Sequence, residues 1–136
     1  MSRRELREHI FKLLFRVEFN SEEEMKEQCD FFFDDVDTQF EEADMEYIRD
    51  KFEKIQEKLT EIDKLIDDNT KGWTTDRMSK VDLTIIRLGI YEMLYDEQIP
   101  ESVAINEAVE LAKRFGQDKS NAFVNAILAK FSEKKD

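Results

Sequence analysis

A segment from about Lys80 to Tyr95, apolar on almost every side of a helix, constrains the fold more than any other feature. A helix that is hydrophobic all round is buried, so we expect this segment to be a central helix. Gly89 lies inside it at a cost of about 1 kcal/mol relative to alanine, which indicates close packing there. The apolar side chains of the segment are Val81, Leu83, Ile85, Ile86, Leu88, Ile90, Met93 and Leu94.

Elsewhere the apolar residues recur three and four positions apart, which is the spacing of one helical face. With only 3 Gly and 1 Pro, the chain has little turn chemistry for a sheet. Capping-box spacing at Ser2 and Ser21 predicts two helix starts, and Thr60 with Asp63 predicts a restart within the third helical pattern. The sequence therefore predicts an all-α fold of about seven helices.

The helical pattern breaks at Lys71-Gly72-Trp73-Thr74-Thr75. Such a break predicts the link between two packed helical halves. We expect these halves to span about 2–70 and about 73–132 of a single domain, residues 1–136. A chain of this length can bury a sizeable core as one domain.

The segment Pro100–Gly116 has a clear amphipathic pattern together with polar residues that packing does not require. Asn106 and Glu107 lie in its first turns, and Glu107 is a candidate partner for Arg87. One interpretation is a buried polar network that fixes the helix, and the other is direct contact with a partner. The residues expected to pack are Val103, Ala104, Ala108, Leu111 and Ala112.

The net charge of −12 is concentrated in the middle of the chain. Residues 20–68 carry 19 acidic and 6 basic side chains, so the remainder is close to neutral. Residues 1–19 and 112–136 each contain more basic than acidic side chains. The two ends are therefore predicted to form a modest basic patch that attracts a polyanion, the alternative being ordinary solvated helix faces.

Catalytic and metal-binding patterns are missing from the sequence. It has one histidine, His9, and one cysteine, Cys29, and its three glycines are isolated, so metal-ligand spacing and a phosphate loop are not found. We expect no enzyme activity, no metal and no cofactor. No apolar run has membrane-spanning length, and the lone cysteine fits a reducing cytoplasm.

Two basic elements suit RNA. Arg3, Arg4 and Arg7 occupy the first turns of the first helix, and guanidinium groups bind phosphate and stack on bases. At the start of the last helix, Lys119 with its neighbours and the first-turn amides can receive a phosphate. Phe123 can stack a base there, although a core role is the commoner one for phenylalanine.

The chain resembles the NusB family of bacterial transcription antitermination factors. The resemblance is strong from Trp73 to Leu128 and weak in the acidic middle. It implies an all-α fold of two packed helical subdomains that binds boxA RNA with the ribosomal protein NusE and helps RNA polymerase read through terminators, notably in ribosomal RNA operons. The matching runs are Arg87–Leu94, Pro100, Val103–Lys113, Ser120 and Phe123–Asn125.

The resemblance also implies functional residues. Phe15 on the first helix and Asp82 on the central helix match positions that face NusE in the family. RNA contacts are implied at the arginine-rich start of the first helix and around the start of the last. The candidate RNA-binding residues are Arg3, Arg4, Arg7, Lys113, Asp118, Lys119, Ser120, Asn121 and Phe123.

A second hypothesis is a helical protein-interaction module, or a homodimer, that does not bind RNA directly. The acidity of residues 20–68 keeps this hypothesis open. Glu5 interrupts the arginine run of the first helix, which weakens the RNA binding expected of the isolated protein. The salt dependence of RNA affinity distinguishes the two hypotheses. Phosphate contacts release counterions, so the affinity for RNA should fall steeply as the salt concentration rises.

Overall fold

The computed structural model describes residues 1–132; the last four, which belong to the predicted domain 1–136 and its basic C-terminal stretch, lie outside that range. The described residues form six α-helices and no strand, which confirms the all-α prediction. Short 3-10 turns cover Arg16–Glu18 and Thr75–Arg77. The helices are α1 (Arg3–Phe15), α2 (Glu22–Phe33), α3 (Glu42–Asn69), α4 (Lys80–Leu94), α5 (Glu101–Phe115) and α6 (Ser120–Ser132).

The predicted restart at Thr60 is wrong, because α3 continues without interruption from Glu42 to Asn69. Its buried residues keep the helical spacing on both sides of Thr60, and neither Gly nor Pro occurs within it. Asp63 accepts two hydrogen bonds from Arg87, at 2.8 Å from Nε and 2.8 Å from Nη2. The described chain thus has six helices where about seven were expected. The buried residues of α3 include Ile48, Phe52, Ile55, Ile62 and Ile66.

The chain divides into two compact units, the first being Met1–Gln56 and the second beginning at Glu57. The break predicted at Gly72 lies inside the second unit. In the first unit, the Ser2 hydroxyl accepts from the Glu5 amide at 3.1 Å, and the Glu5 carboxylate accepts from the Ser2 amide at 3.4 Å. Ser21 begins α2 in the same way, so both predicted capping boxes are confirmed.

The second unit is built around α4, as its apolar sequence predicts. Every residue from Leu83 to Met93 is buried, and α4 contacts both α5 and α6. A Cβ added at Gly89 would lie 2.8 Å from a Leu128 methyl carbon and 3.5 Å from the Ala108 Cβ. The close packing predicted at Gly89 is confirmed, and α6 passes α4 at this point.

Helix α5 follows its predicted pattern with two exceptions. Ala104, Ala108, Leu111 and Ala112 are buried, but Val103 is 42% exposed, so its predicted core role is wrong. Asn106 is also exposed, which rules out the buried-network interpretation for that residue. In the part of the chain that the structure describes, no helix is both long and apolar enough to cross a membrane.

Candidate nucleic-acid interface

The arginines of the first unit differ in exposure. Arg3 and Arg4 are exposed in the first turn of α1, whereas Arg7 is only 8% exposed. An arginine can bury its aliphatic stem while its charged end keeps polar contacts, so Arg7 contributes to packing in this unit. Arg3 and Arg4 therefore present the accessible positive charge at the start of α1.

Phe15 belongs to a row of three phenylalanines. Phe11 is buried, Phe15 is half-buried and Phe19 is 60% exposed. The ring centroids are 6.4 Å apart from Phe11 to Phe15 and 5.3 Å apart from Phe15 to Phe19. Phe19 was not among the predicted site residues, although its four-residue spacing from Phe15 places both on one side of a helical turn. The row offers a partly exposed aromatic surface around the predicted partner residue.

In the second unit, the start of α6 is fixed by Ser120. Its hydroxyl accepts from the Gln117 amide at 2.9 Å, and the side chain is buried. A Cβ added at Gly116 would lie 2.5 Å from the Ser120 Cβ, so only glycine fits there. Ser120 thus shapes the turn into α6, and its exposed neighbours Asp118 and Lys119 are held at the helix start.

An open groove of about 990 Å³ lies beside this helix start, and we call it the α6 groove. Its walls include Trp73, Met78, Asp82, Lys119, Ser120 and Phe123. The rings of Trp73 and Phe123 meet edge to face, with centroids 5.0 Å apart and planes at 66°. The groove therefore combines two aromatic rings with polar groups of both charges, a combination that suits a flat ligand bearing hydrogen-bond donors.

Trp73 is held by the end of α3. Its amide donates to the Thr70 carbonyl at 3.3 Å, and the Thr70 hydroxyl lies 2.6 Å from the Trp73 carbonyl. The Asp67 carboxylate accepts from the Thr75 amide at 2.7 Å. Trp73 was not predicted as a site residue, because a loop position has no periodicity to mark it.

Asp82, predicted to face a protein partner, lines the same groove as Lys119 and Phe123. Its amide donates to the Ser79 hydroxyl at 3.1 Å, which caps α4. Its Oδ1 atom is buried and has no hydrogen-bond partner among the described residues. The structure thus brings together a predicted partner residue and predicted RNA-binding residues.

The remaining predicted residues lie near the same region of the chain. Asn121, in the first turn of α6, is half-buried. Lys113 is exposed in the last turn of α5, where its Nζ is 3.4 Å from a Glu110 carboxylate oxygen. Such an exposed pair is weak, so Lys113 stays available to an anion.

The first unit has a smaller cavity of about 260 Å³ beside His9. His9 packs edge-on against Phe40 at 4.9 Å and Phe32 at 6.0 Å, and burial lowers its pKa below the ordinary value of 6.5. Burial also raises the pKa of the Cys29 thiol. A neutral imidazole and a protonated thiol fit packing roles. Within residues 1–132, no group of three or more His, Cys, Asp or Glu side chains could hold a metal.

Residues 1–132 form six helices, with an exposed basic helix start in the first unit and an aromatic groove in the second, and they define an all-α protein with these two candidate binding sites. The sequence model of the NusB family matches residues 4–133, and the chain belongs to that family. The resemblance identified from Pro100–Asn125 is thereby confirmed.

The similarity to known proteins extends over nearly the whole chain. The transcription antitermination protein NusB of Agathobacter rectalis is 49% identical over 132 residues, covering 97% of this chain and 100% of that protein. NusB of T. maritima superposes with a TM-score of 0.85 at 35% identity, over 98% of this chain and 92% of that one. A chain in the crystal structure of a plectonemic RNA supercoil superposes with a TM-score of 0.80 at 25% identity, over 97% and 95%.

Family membership establishes the general role. The NusB family consists of transcription antitermination factors, which are regulatory proteins rather than enzymes, as the sequence predicted. The solved structure of T. maritima NusB confirms the fold class.

Proposed function

We propose that this protein binds boxA RNA together with the ribosomal protein NusE and supports read-through of terminators by RNA polymerase, notably in ribosomal RNA operons. The observation that carries the proposal is the α6 groove, where aromatic rings and the cation Lys119 lie at the start of a helix. Helix starts favour anions, and aromatic rings stack bases. The likeness to a chain crystallised in an RNA structure adds support.

The proposed RNA contacts come from both units, each taken by itself. In the first unit the exposed Arg3 and Arg4 supply charge, and the buried Arg7 supports them through packing. In the second unit, Lys119 and Lys113 contact phosphate, Phe123 stacks a base, and Ser120 shapes the turn. Asp118 and Asn121 complete the proposed set as hydrogen-bonding groups at the start of α6.

NusE binding is proposed at Phe15, because the Phe11–Phe15–Phe19 row offers a half-buried aromatic surface. Aromatic residues are enriched at protein interfaces. Asp82 is the second proposed partner residue. A partner is also expected on electrostatic grounds, since the 33 acidic side chains outnumber the 21 basic ones and the net charge of −12 opposes RNA binding by the protein alone. With these partners, the protein acts in the cytoplasm.

The alternative is a protein-interaction module or homodimer without direct RNA binding. The exposed phenylalanines of the first unit favour it, because Phe19 is 60% and Phe31 is 54% exposed. Aromatic side chains are enriched at protein interfaces relative to the rest of the surface. In this alternative the acidic residues between 20 and 68 would face a basic protein.

A titration of labelled boxA RNA with this protein, alone and with NusE, tests the proposal. We expect binding in both cases, at least tenfold tighter with NusE, and weaker as salt rises because released counterions oppose it. A scrambled RNA of the same composition is the control. Equal affinity with and without NusE would contradict the proposal that NusE strengthens RNA binding. No RNA binding in either case would favour the protein-interaction module.

A further inference from the structure

We propose that the cavity beside His9 in the first unit is a docking site for a protein partner other than NusE. The partner inserts one apolar side chain, flanked by an acidic residue on one side and a basic residue on the other. This docking is separate from RNA binding and from the NusE contact proposed at Phe15. We call the site the His9 cavity, and its walls include Lys12, Arg16, Phe31, Phe32, Asp35 and Phe40.

The size of the His9 cavity suits one inserted side chain. Its volume is about 260 Å³, whereas pockets that enclose a drug-sized molecule measure roughly 300–1,000 Å³. Phe31, Phe32 and Phe40 supply apolar wall, and the ring centroids of Phe32 and Phe40 are 5.6 Å apart. An inserted leucine or methionine side chain therefore removes apolar surface of both proteins from water.

Phe31 is the exposed edge of this apolar wall. Its side chain is 54% exposed, whereas Phe32 beside it is 7% exposed and belongs to the core. Val36, in the loop that follows α2, is 79% exposed. Apolar surface rimmed by polar residues is typical of an interaction site, because a partner can cover it and exclude water.

The rim of the His9 cavity carries charges of both signs, and each sign comes from a different element. Lys12 lies on α1 and Arg16 on the 3-10 turn that continues it, whereas Asp35 lies in the loop after α2. The exposed Asp34 and Asp37 add negative charge to that loop. A partner segment therefore matches the rim best with a carboxylate toward α1 and a cation toward the loop.

The charged groups of the rim are held in place. The Thr38 hydroxyl donates to Asp35 Oδ2 at 2.7 Å, and the Asp37 amide donates to Oδ1 at 3.1 Å. These two hydrogen bonds hold the pKa of Asp35 below its ordinary value, so the carboxyl is charged at neutral pH. The Arg16 Nη1 donates to the Gln28 side-chain oxygen at 3.1 Å. Side chains that are already fixed lose little freedom when a partner binds.

The His9 cavity lies on a different side of α1 from the aromatic row proposed for NusE. Successive helical residues are rotated by about 100°, so residues three and four apart share a side. His9, Lys12 and Arg16 form one such set, whereas Phe11 and Phe15 form another. A partner in the cavity therefore leaves the Phe15 side available to NusE.

RNA is the competing occupant, because cations and aromatic rings also suit nucleic acid. The carboxylates of Asp34, Asp35 and Asp37 oppose it, since they repel a phosphate backbone. A purely basic peptide is opposed by Lys12 and Arg16 in the wall. A protein segment of mixed charge satisfies both sets of groups, so the observations favour it.

The site is tested with a capped peptide that has a central leucine, two glutamates on one side and two lysines on the other. We expect its titration into the ¹⁵N-labelled full chain to shift the amide NMR signals of residues 31–40 and not those of Phe15 and Phe19. A matched peptide with serine in place of leucine should bind about tenfold more weakly, because the buried leucine is lost. No binding of the leucine peptide overturns the proposal.

The apolar wall is tested by Phe31→Ser, which should weaken binding of the leucine peptide about fivefold. Tyr47→Ser, at an exposed aromatic residue outside the cavity, is the control and should leave the affinity unchanged. Circular dichroism checks that both variants keep their helix content. Equal affinities in the two variants would overturn the site.

The charge arrangement is tested by Lys12→Glu, compared with Lys54→Glu at an exposed position of α3 outside the cavity. The two variants have the same net charge. Lys12→Glu should raise the affinity for a peptide with lysines on both sides, relative to the mixed peptide, at least threefold more than Lys54→Glu does. An equal change in both variants would mean that net charge alone attracts the peptide, which overturns the docking site.

NusE and RNA separate this site from the proposed function. We expect neither NusE nor boxA RNA to displace the bound peptide. Displacement by NusE, or shifts of the same amide signals by RNA alone, would overturn the assignment to a separate protein partner. Failure of the peptide to bind leaves the proposed function standing, because RNA binding is measured independently of it.

Discussion

The start of α1 and the start of α6 are both predicted to contact RNA, but they are built differently. At α1, Arg3 and Arg4 extend into solvent from a helix that caps itself through Ser2. At α6, a buried serine shapes the turn and two rings line a groove. Long exposed cations attract any polyanion, whereas fixed rings and acceptors select a shape. The comparison indicates that α1 supplies attraction and the α6 groove supplies selectivity.

The largest predicted loss of stability comes from a substitution at Gly116, in the turn that precedes α6. Gly116→Ala places a Cβ 2.5 Å from the Ser120 Cβ, so the turn must shift. We expect the free energy of unfolding, measured with urea, to fall by about 1–3 kcal/mol, and RNA binding to weaken with it. Ala126→Leu, at an exposed position of α6, is the control and should change neither quantity. Unchanged stability in Gly116→Ala would show that the turn tolerates a side chain.

The α1 side is tested by Arg3→Ala with Arg4→Ala. Losing two phosphate contacts should weaken binding about tenfold for every RNA sequence, and reduce the slope of log affinity against log salt by about 1.4. Lys26→Ala with Lys64→Ala, at exposed positions outside both basic stretches, removes the same charge and is the control. Titrations at several salt concentrations measure both quantities. An unchanged slope would remove α1 from the RNA contact.

A smaller predicted effect is the pH dependence of stability that arises from His9 in the first unit. Burial lowers the pKa of His9 below 6.5, so the unfolded chain binds this proton more readily than the folded chain. His9 therefore contributes stability above pH 6.5 that is lost as the pH falls through that value toward the folded-state pKa. We expect His9→Gln to reduce the loss of stability between pH 7.5 and 5.5, measured by urea unfolding. An identical loss in both proteins would show that His9 does not respond to pH.

The sequence predicted the fold well wherever periodicity or capping decided the structure. The all-round apolar pattern identified α4 as central, and Ser2 and Ser21 marked helix starts. The helix start predicted at Thr60 and Asp63 was wrong, because the same spacing also occurs inside a continuous helix. Asp63 accepts a hydrogen bond from Arg87 instead of capping a helix. Local patterns do not reveal the distant partner that decides such a residue's role.

The candidate site was only partly visible in the sequence. The segment before and into α6 was singled out, but Trp73 is separated from Phe123 by fifty residues and joins it only in the folded unit. The exposure of polar residues was not predictable from the sequence either. Arg7 and Ser120 are polar residues that were expected to be accessible, but both are buried. Both failures concern long-range packing, which a single sequence does not display.

The most direct test is the ratio of affinities for boxA RNA and for a scrambled RNA of equal composition, measured for three proteins in the same buffer. We predict that Trp73→Leu lowers this ratio, because the groove selects, whereas Arg3→Ala with Arg4→Ala lowers both affinities and leaves the ratio unchanged. A ratio that falls in the arginine variant and holds in Trp73→Leu would contradict the division of roles between α1 and the α6 groove.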